Sequence, residues 1–440
     1  MRDFCMKRKR MLFVTIGVTI LLLSGMILYS FLLGDDPHRY YTGLGESISL
    51  SFDDSKLTFS YYENGKESIY MANPDGTNVQ KITNPTNLQH RSPKFSPSGD
   101  KIVYLSEDQE GIQSLRTITL NKSKDRELTD EELHVKDAIF SRDGDNIYFV
   151  AVEAEEFKKG ENSKEGFDLF SIETAGGQIT KLTDADHFSM NHLFLSPDGK
   201  TIYYNEVDGE KERIYAYSIE DKTRTTEPSF LPKEFANTYS FYEAELSLEE
   251  KHLAFTDVSQ ESQSFFEYEL YILDLASNKI EKLTNFRKAV TSIEFFHKGK
   301  KVAFLESTNW PKEPDKFTLK TIDLVTQKLE TIQLDAPKTA HSIRLIHLID
   351  QTINGFTIAC LYILLVILLS IFFQHYHTSK VYLPSIISFS IAVIIFMSSI
   401  AVAVTINPWY GIGIGMLAGA IFGCSIVAII FIFIYKRIVK

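Results

Sequence analysis

The sequence is poor in the residues that make covalent or metal staples. Three cysteines occur in 440 residues: Cys5 near the start, and Cys360 and Cys424 inside long apolar runs. None falls in the polar middle, so that region must be held by its own core without internal disulfides. Catalytic signatures are lacking too. There is no G-x-S-x-G nucleophile elbow and no H-E-x-x-H. Cationic residues are outnumbered, 46 Lys and Arg against 57 Asp and Glu, for a net charge of −11. Residues 1–33 and 341–440 each carry +4, which leaves −19 for residues 34–340. Such a field disfavours nucleic acid and anionic headgroups and keeps a domain soluble.

Four apolar runs have no charge in their middles, which argues against ion-coupled transport. The first, 11–33, follows a basic tail (1–10) with Arg2, Lys7, Arg8, Lys9 and Arg10. It is long enough to cross a bilayer and longer than the apolar region of a cleaved signal peptide, so an uncleaved anchor is expected. Three further spans are expected at 353–373, 381–406 and 411–435, with a short tail at 436–440. The basic tail places the N-terminus in the cytoplasm and residues 34 onward outside. Four spans return Lys436, Arg437 and Lys440 to the cytoplasm, where the positive-inside rule wants them. The expected localisation is therefore a multi-pass protein of the cell membrane with an extracytoplasmic middle. Gly411, Gly415, Gly419 and Gly423 share one face of the last span. Small residues in that register suit either a tight contact within the chain or a homodimer through this helix.

Between linkers at 34–47 and 337–352, residues 48–336 repeat one phrase six times. Leu195-Ser196-Pro197-Asp198-Gly199-Lys200 introduces an alternating strand, and further copies begin at Leu50, Phe95, Phe140, Leu246 and Phe295. Asp, Gly and Ser at a tight turn followed by β-branched and aromatic residues is hairpin chemistry. The starts lie 45, 45, 55, 51 and 49 residues apart, the period of a repeat architecture. A second phrase recurs as Lys81-Ile82-Thr83-Asn84, Glu127-Leu128-Thr129-Asp130, Lys181-Leu182-Thr183-Asp184 and Lys282-Leu283-Thr284-Asn285. Each unit spells four strands, a to d. Six such units make an all-β six-bladed propeller, to which the α-helical spans are added, one N-terminal and three C-terminal.

On these phrases the chain resembles the TolB-like propeller repeat, also similar to the propeller of prolyl-oligopeptidase-type peptidases, as a membrane-anchored variant without a peptidase domain. The Gly-His and Trp-Asp signatures of WD repeats are missing. Repeats five and six depart most, with Leu248-Glu249-Glu250 for Pro-Asp-Gly and Thr331-Ile332-Gln333 for Leu-Thr-Asp. The resemblance implies protein–protein contact, since soluble TolB propellers contact envelope lipoproteins.

Alternating strands put all b–c loops and d–a crossings on one face. The long connections 153–167, 225–242, 259–268 and 308–316 all belong there, and insertions on one face often mark the binding side. Phe230, Phe235, Phe265, Phe266 and Trp310 are the candidate partner-binding residues, with packing inside the loops as the other reading. His187 and His192, and His375 and His377, have no metal-site spacing. Asp143-Gly144-Asp145 lacks the remaining carboxylates of a calcium loop, and Gly43-x-Gly45 is too short for a phosphate loop. No catalytic, cofactor or metal residue is assigned. The expected function is a protein-interaction, scaffold or sensor module at the cell envelope. Its expected partners are the membrane and an envelope protein or cell-surface component. The alternatives are a metal-dependent hydrolase or lactonase-type enzyme with a divalent cation on channel carboxylates, and an accessory subunit of a larger membrane complex.

Overall fold

The computed structural model describes residues 2–33, 36–122, 124–184, 186–225, 228–259, 266–298, 300–338, 341–376 and 380–438. Among them are 24 strands and seven α-helices: α1 (Arg2–Leu33), α2 (Ala154–Lys158), α3 (Lys233–Thr238), α4 (His341–Thr352), α5 (Gly355–Tyr376), α6 (Leu383–Thr405) and α7 (Pro408–Ile438). The chain divides into two compact units, Met1–Asp36 with His341–Lys440, and Pro37–Ala340.

The second unit is six four-stranded antiparallel sheets, each with its strands in chain order. Blade one is typical, with strands Gly43–Leu50, Leu57–Glu63, Lys66–Ala72 and Gln80–Lys81. The repeated phrases have plain physical causes. In five turns the serine hydroxyl accepts the backbone N–H five residues on: Lys56 to Ser51 (2.9 Å), Lys101 to Ser96 (3.1 Å), Asn146 to Ser141 (2.9 Å), Thr201 to Ser196 (3.0 Å) and His252 to Ser247 (3.0 Å). The divergent blade-five turn therefore keeps the same closure despite losing its glycine. In the second phrase the threonine hydroxyl accepts a strand-c N–H. Ile69 donates to Thr83 (3.0 Å), Leu115 to Thr129 (2.8 Å), Leu169 to Thr183 (2.9 Å) and Leu270 to Thr284 (2.9 Å). Without these hydroxyls each pairing would leave a buried N–H unsatisfied.

Six apolar clusters fill the six seams between neighbouring blades. Ile69 and Tyr104 join blades one and two, Leu105 and Phe149 two and three, Val150 and Tyr204 three and four. Phe194 and Phe255 join four and five, and Ala254 and Phe304 five and six. The sixth cluster packs Phe59 and Tyr70 of blade one against Leu305 and Leu319 of blade six, so the ring is closed. Burying a side chain of this size contributes about 1.5–3 kcal/mol.

Each blade is one contiguous segment, so closure relies on side chains and on the segment after the last strand. Blade six has Phe296 in place of the turn serine, and blade one holds this turn through other backbone groups. The Asp54 carboxylate accepts the backbone N–H groups of His297 (2.9 Å) and Lys298 (2.7 Å). Ile48 N–H donates to Ser292 Oγ (2.9 Å). Beyond blade six, Asp335 N–H donates to the Gly76 carbonyl (3.1 Å) and the Tyr61 hydroxyl to the Pro337 carbonyl (2.7 Å).

In the first unit four helices are long and apolar enough to cross a membrane: Arg10–Leu32, Gly355–Tyr376, Leu383–Thr405 and Pro408–Ile438. The stretch 337–352, read from sequence as a linker, contains α4. Its Ile343, Ile346, Ile349 and polar His347, Gln351 recur at helical spacing, a pattern that a reading for long apolar runs passes over.

Candidate functional site

The long connections bring an aromatic group to the b–c face. The Trp310 indole N–H donates to the Phe266 carbonyl (2.8 Å), fixing the blade-six loop to the blade-five loop. Trp310 meets Tyr268 edge-on at 6.0 Å, and Tyr268 meets Tyr242 edge-on at 5.3 Å. Tyr242 belongs to an inner strand, so the aromatic run leads from the rim to the channel wall. Phe266 is 67% exposed. On the same face Phe157, in the helix of the blade-three insertion, stacks on His134 at 3.5 Å, and Phe188 is exposed.

The five candidate aromatics therefore separate. Phe266 and Trp310 come together. Phe230 and Phe235 are partly buried against the seam of blades four and five, with Phe230 edge-on to Tyr203 at 5.1 Å; they pack the crossing that carries α3. Phe265 lies outside the described residues.

The opposite mouth of the channel carries charge that no motif announced. The residue before each turn phrase is Ser49, Lys94, Ile139, Phe194, Glu245 and Glu294. Lys94 Nζ lies 2.6 Å from Glu294 Oε1. Burial works against the Lys94 charge, but Glu294 and Glu245 outweigh it and its pKa is raised. Glu245 is pushed up to about 8, first by burial and then by the charge of Glu294. A cavity of about 100 Å³ here is lined by residues of all six blades, which identifies it as axial. A neighbouring hollow of about 460 Å³, between the turns of blades five and six, shares Arg142, Glu245, Glu294 and His297 with it. The sole sequence signal was that charged residues stand where other copies of the repeat have Ser, Ile or Phe.

Further polar groups line the blades. Arg91 bridges Glu67 (3.1 Å) and Glu107 (3.0 Å), and burial raises Glu67 to about 7. Gly45 is required beside them, because a Cβ there would meet Ser60 Oγ and lie 2.5 Å from Glu67 Oε1. His187 pairs with Glu206 (2.9 Å) and His192 faces Glu243 (3.8 Å). Asp143 accepts from Ser141 Oγ and from Asp145 N–H within its own turn. Among the described residues no three His, Cys, Asp or Glu come together as a metal-binding group. His375 is exposed, and His377 lies outside the described residues.

In the helical unit the glycine face is divided. A Cβ on Gly411 would run into Ala403 Cβ and lie 2.7 Å from the Ser399 carbonyl, and one on Gly415 would meet Ser399 Oγ at 3.4 Å. These two let α7 close on α6. Gly419 and Gly423 have open space beyond them. Across the same helices Tyr362 and Ser388 hydroxyls are 2.7 Å apart, and Ser388 and Ser425 2.6 Å, interhelical bonds of the kind that join helices in lipid.

Comparison with known proteins agrees on the fold. Residues 55–206 match the family model of the dipeptidyl peptidase IV N-terminal region. No curated protein matches the chain. Among solved structures, TolB from Acinetobacter baumannii superposes with a TM-score of 0.51 at 16% identity, over 66% of this chain and 66% of that one. This chain thus spans just under two thirds of the TolB length. An oligogalacturonate lyase in complex with manganese gives 0.47 at 13% identity, over 69% and 82%. A puromycin-hydrolysing peptidase from Mycobacterium tuberculosis gives 0.43 at 12%, over 64% and 43%. At such identities the TolB likeness shows a shared fold and no more.

Proposed function

We propose that this protein is a membrane-anchored interaction module of the cell envelope, non-enzymatic, whose extracytoplasmic propeller binds a partner through its b–c face. The observation that carries this reading is the Phe266–Trp310 pair. The indole hydrogen bond ties the backbone at Phe266 to the neighbouring loop and presents an exposed phenylalanine beside a tryptophan. Groups of this kind dominate protein interfaces because they bury large area at low entropic cost. Phe157 and Phe188, elsewhere on the same face, are exposed as well. Orientation is read from the basic flanks: Arg10 opens the first span, and Lys436 and Arg437 close the last, so both ends face the cytoplasm and the ring lies outside.

Site-specific photocrosslinking in native membranes tests the reading. A crosslinker at Phe266 or Trp310 should capture a discrete partner, and one at Asp198, on the opposite face, should not. Capture from Asp198 with none from Phe266 and Trp310 would refute the assignment.

A further inference from the structure

The turn-face mouth of the channel has no part in that reading, and its charge points to a second site. Two positions after the start of each turn phrase stand Phe52, Pro97, Arg142, Pro197, Leu248 and His297. The turn needs no cation there: four of the six are apolar, and His297 is held by Asp54 (3.0 Å). Arg142 is the exception. Its stem lies over Gly199, where an added Cβ would approach its Cγ to 2.8 Å. Its guanidinium donates to the carbonyls of Leu195 (3.1 Å) and Ser196 (3.2 Å), which fixes the head group at the wall of the mouth.

The charges around Arg142 do not balance it. Burial lowers its pKa, and Glu245 is the carboxylate that opposes the effect. Glu245, however, is itself pushed up, first by burial and then by the charge of Glu294, so the mouth holds its negative charge poorly. Glu294 is taken by Lys94. A partly buried guanidinium left short of counter-charge costs stability unless something bound supplies it. That deficit of negative charge sits in a region whose formal charge is −19, so it is local to this mouth. Around the 460 Å³ hollow stand Arg142, Lys251, Lys298 and Lys300 against Glu245, Glu249 and Glu294; Lys251 is taken by Glu249, which leaves Arg142, Lys298 and Lys300 facing Glu245. The volume is within the range of small-molecule sites, about 300–1,000 Å³.

We propose that this mouth binds a carboxylate carried on a small, partly apolar molecule, with Arg142 taking the carboxylate and Phe52 and Leu248 covering the apolar part. An arginine fork matches a carboxylate with two parallel hydrogen bonds. A free organic acid and the C-terminal end of a peptide offer the same chemistry.

The test is calorimetric titration of the full chain in detergent with N-acetyl-phenylalanine, with acetyl-Ala-Ala-Phe, and with the C-terminal amide of each. At least one acid should bind about tenfold or more tightly than its amide, and Arg142→Gln should abolish that preference. Leu248→Trp narrows the hollow without touching a charge and should weaken the acid as well, which keeps the test open if Arg142→Gln does not fold. Tighter binding of the tripeptide assigns the site to a peptide end, and equal or tighter binding of the single residue to a free acid. Equal binding of acid and amide overturns the proposal. So does no binding of either acid up to about 10 mM, or an acid preference that survives these substitutions.

Discussion

Replacing Asp54 by Asn tests how the ring is closed. Asp54 is the one acceptor through which blade one holds the two backbone N–H groups of the blade-six turn, and its ring-nitrogen contact with His297 is a third bond at 3.0 Å. The carboxylate is 13% exposed, so water replaces it poorly. Its backbone is left-handed, with φ 57°, a conformation that Asn adopts readily. The substitution would therefore keep shape and turn but convert one oxygen into a donor facing an N–H. A charge-assisted hydrogen bond is worth about 1.5–3 kcal/mol. Taking about 2 kcal/mol, and about 2 °C per kcal/mol for a domain of this size, Asp54→Asn should lower Tm by about 4 °C. Calorimetry of the full chain in detergent reads the shift, and amide exchange locates it. Blades one and six should open first. The control is Asp143→Asn, whose carboxylate bonds stay inside one turn and whose loss should cost about 1 kcal/mol or less, confined to blade three. Equal effects of the two changes, or faster exchange spread evenly over six blades, would show that Asp54 has no special part in joining blades one and six.

Stability should also fall as pH rises towards 8. Burial raises Glu67 and Glu212 to about 7. With folded pKa above the unfolded value, their contribution is full below about 4.5 and lost through 7, on the order of 3 kcal/mol for Glu212. Glu212 faces Asn205, Glu243, Lys136 and Asn191; Glu212→Gln should flatten the Tm–pH profile between 5 and 8, and an unchanged slope would contradict its burial. In the helical unit, Gly411→Leu should disrupt the α6–α7 contact and lower the temperature of detergent-solubilised aggregation. Gly423→Leu, with open space beyond it, should not. Loss of self-association in Gly423→Leu, read by crosslinking in membranes, would assign that glycine to a dimer.

The ring was legible because its repeat is enforced locally. The turn serines, in five blades, and the Leu-Thr or Ile-Thr threonines, in four, recur because each satisfies the same backbone N–H where it occurs, and hydrophobic alternation sets the seams. Four spans were legible from length and apolarity alone. What the sequence hid was non-local. Asp54 lies 243 residues from His297, and no pattern links them. Lys94, Glu245, Glu294 and Arg142 come from four different blades and meet solely because the ring closes. Phe230 and Phe235 looked like Phe266 in composition; whether an aromatic on a connection faces the seam or the solvent depends on how that connection folds back.

If the closed six-bladed ring stands outside the membrane, its turns are open to reagents that cannot cross a bilayer. In a chain with Cys5, Cys360 and Cys424 replaced, Asp198→Cys should react with a membrane-impermeant maleimide in intact spheroplasts. Labelling that occurs only after the membrane is broken would place the ring in the cytoplasm.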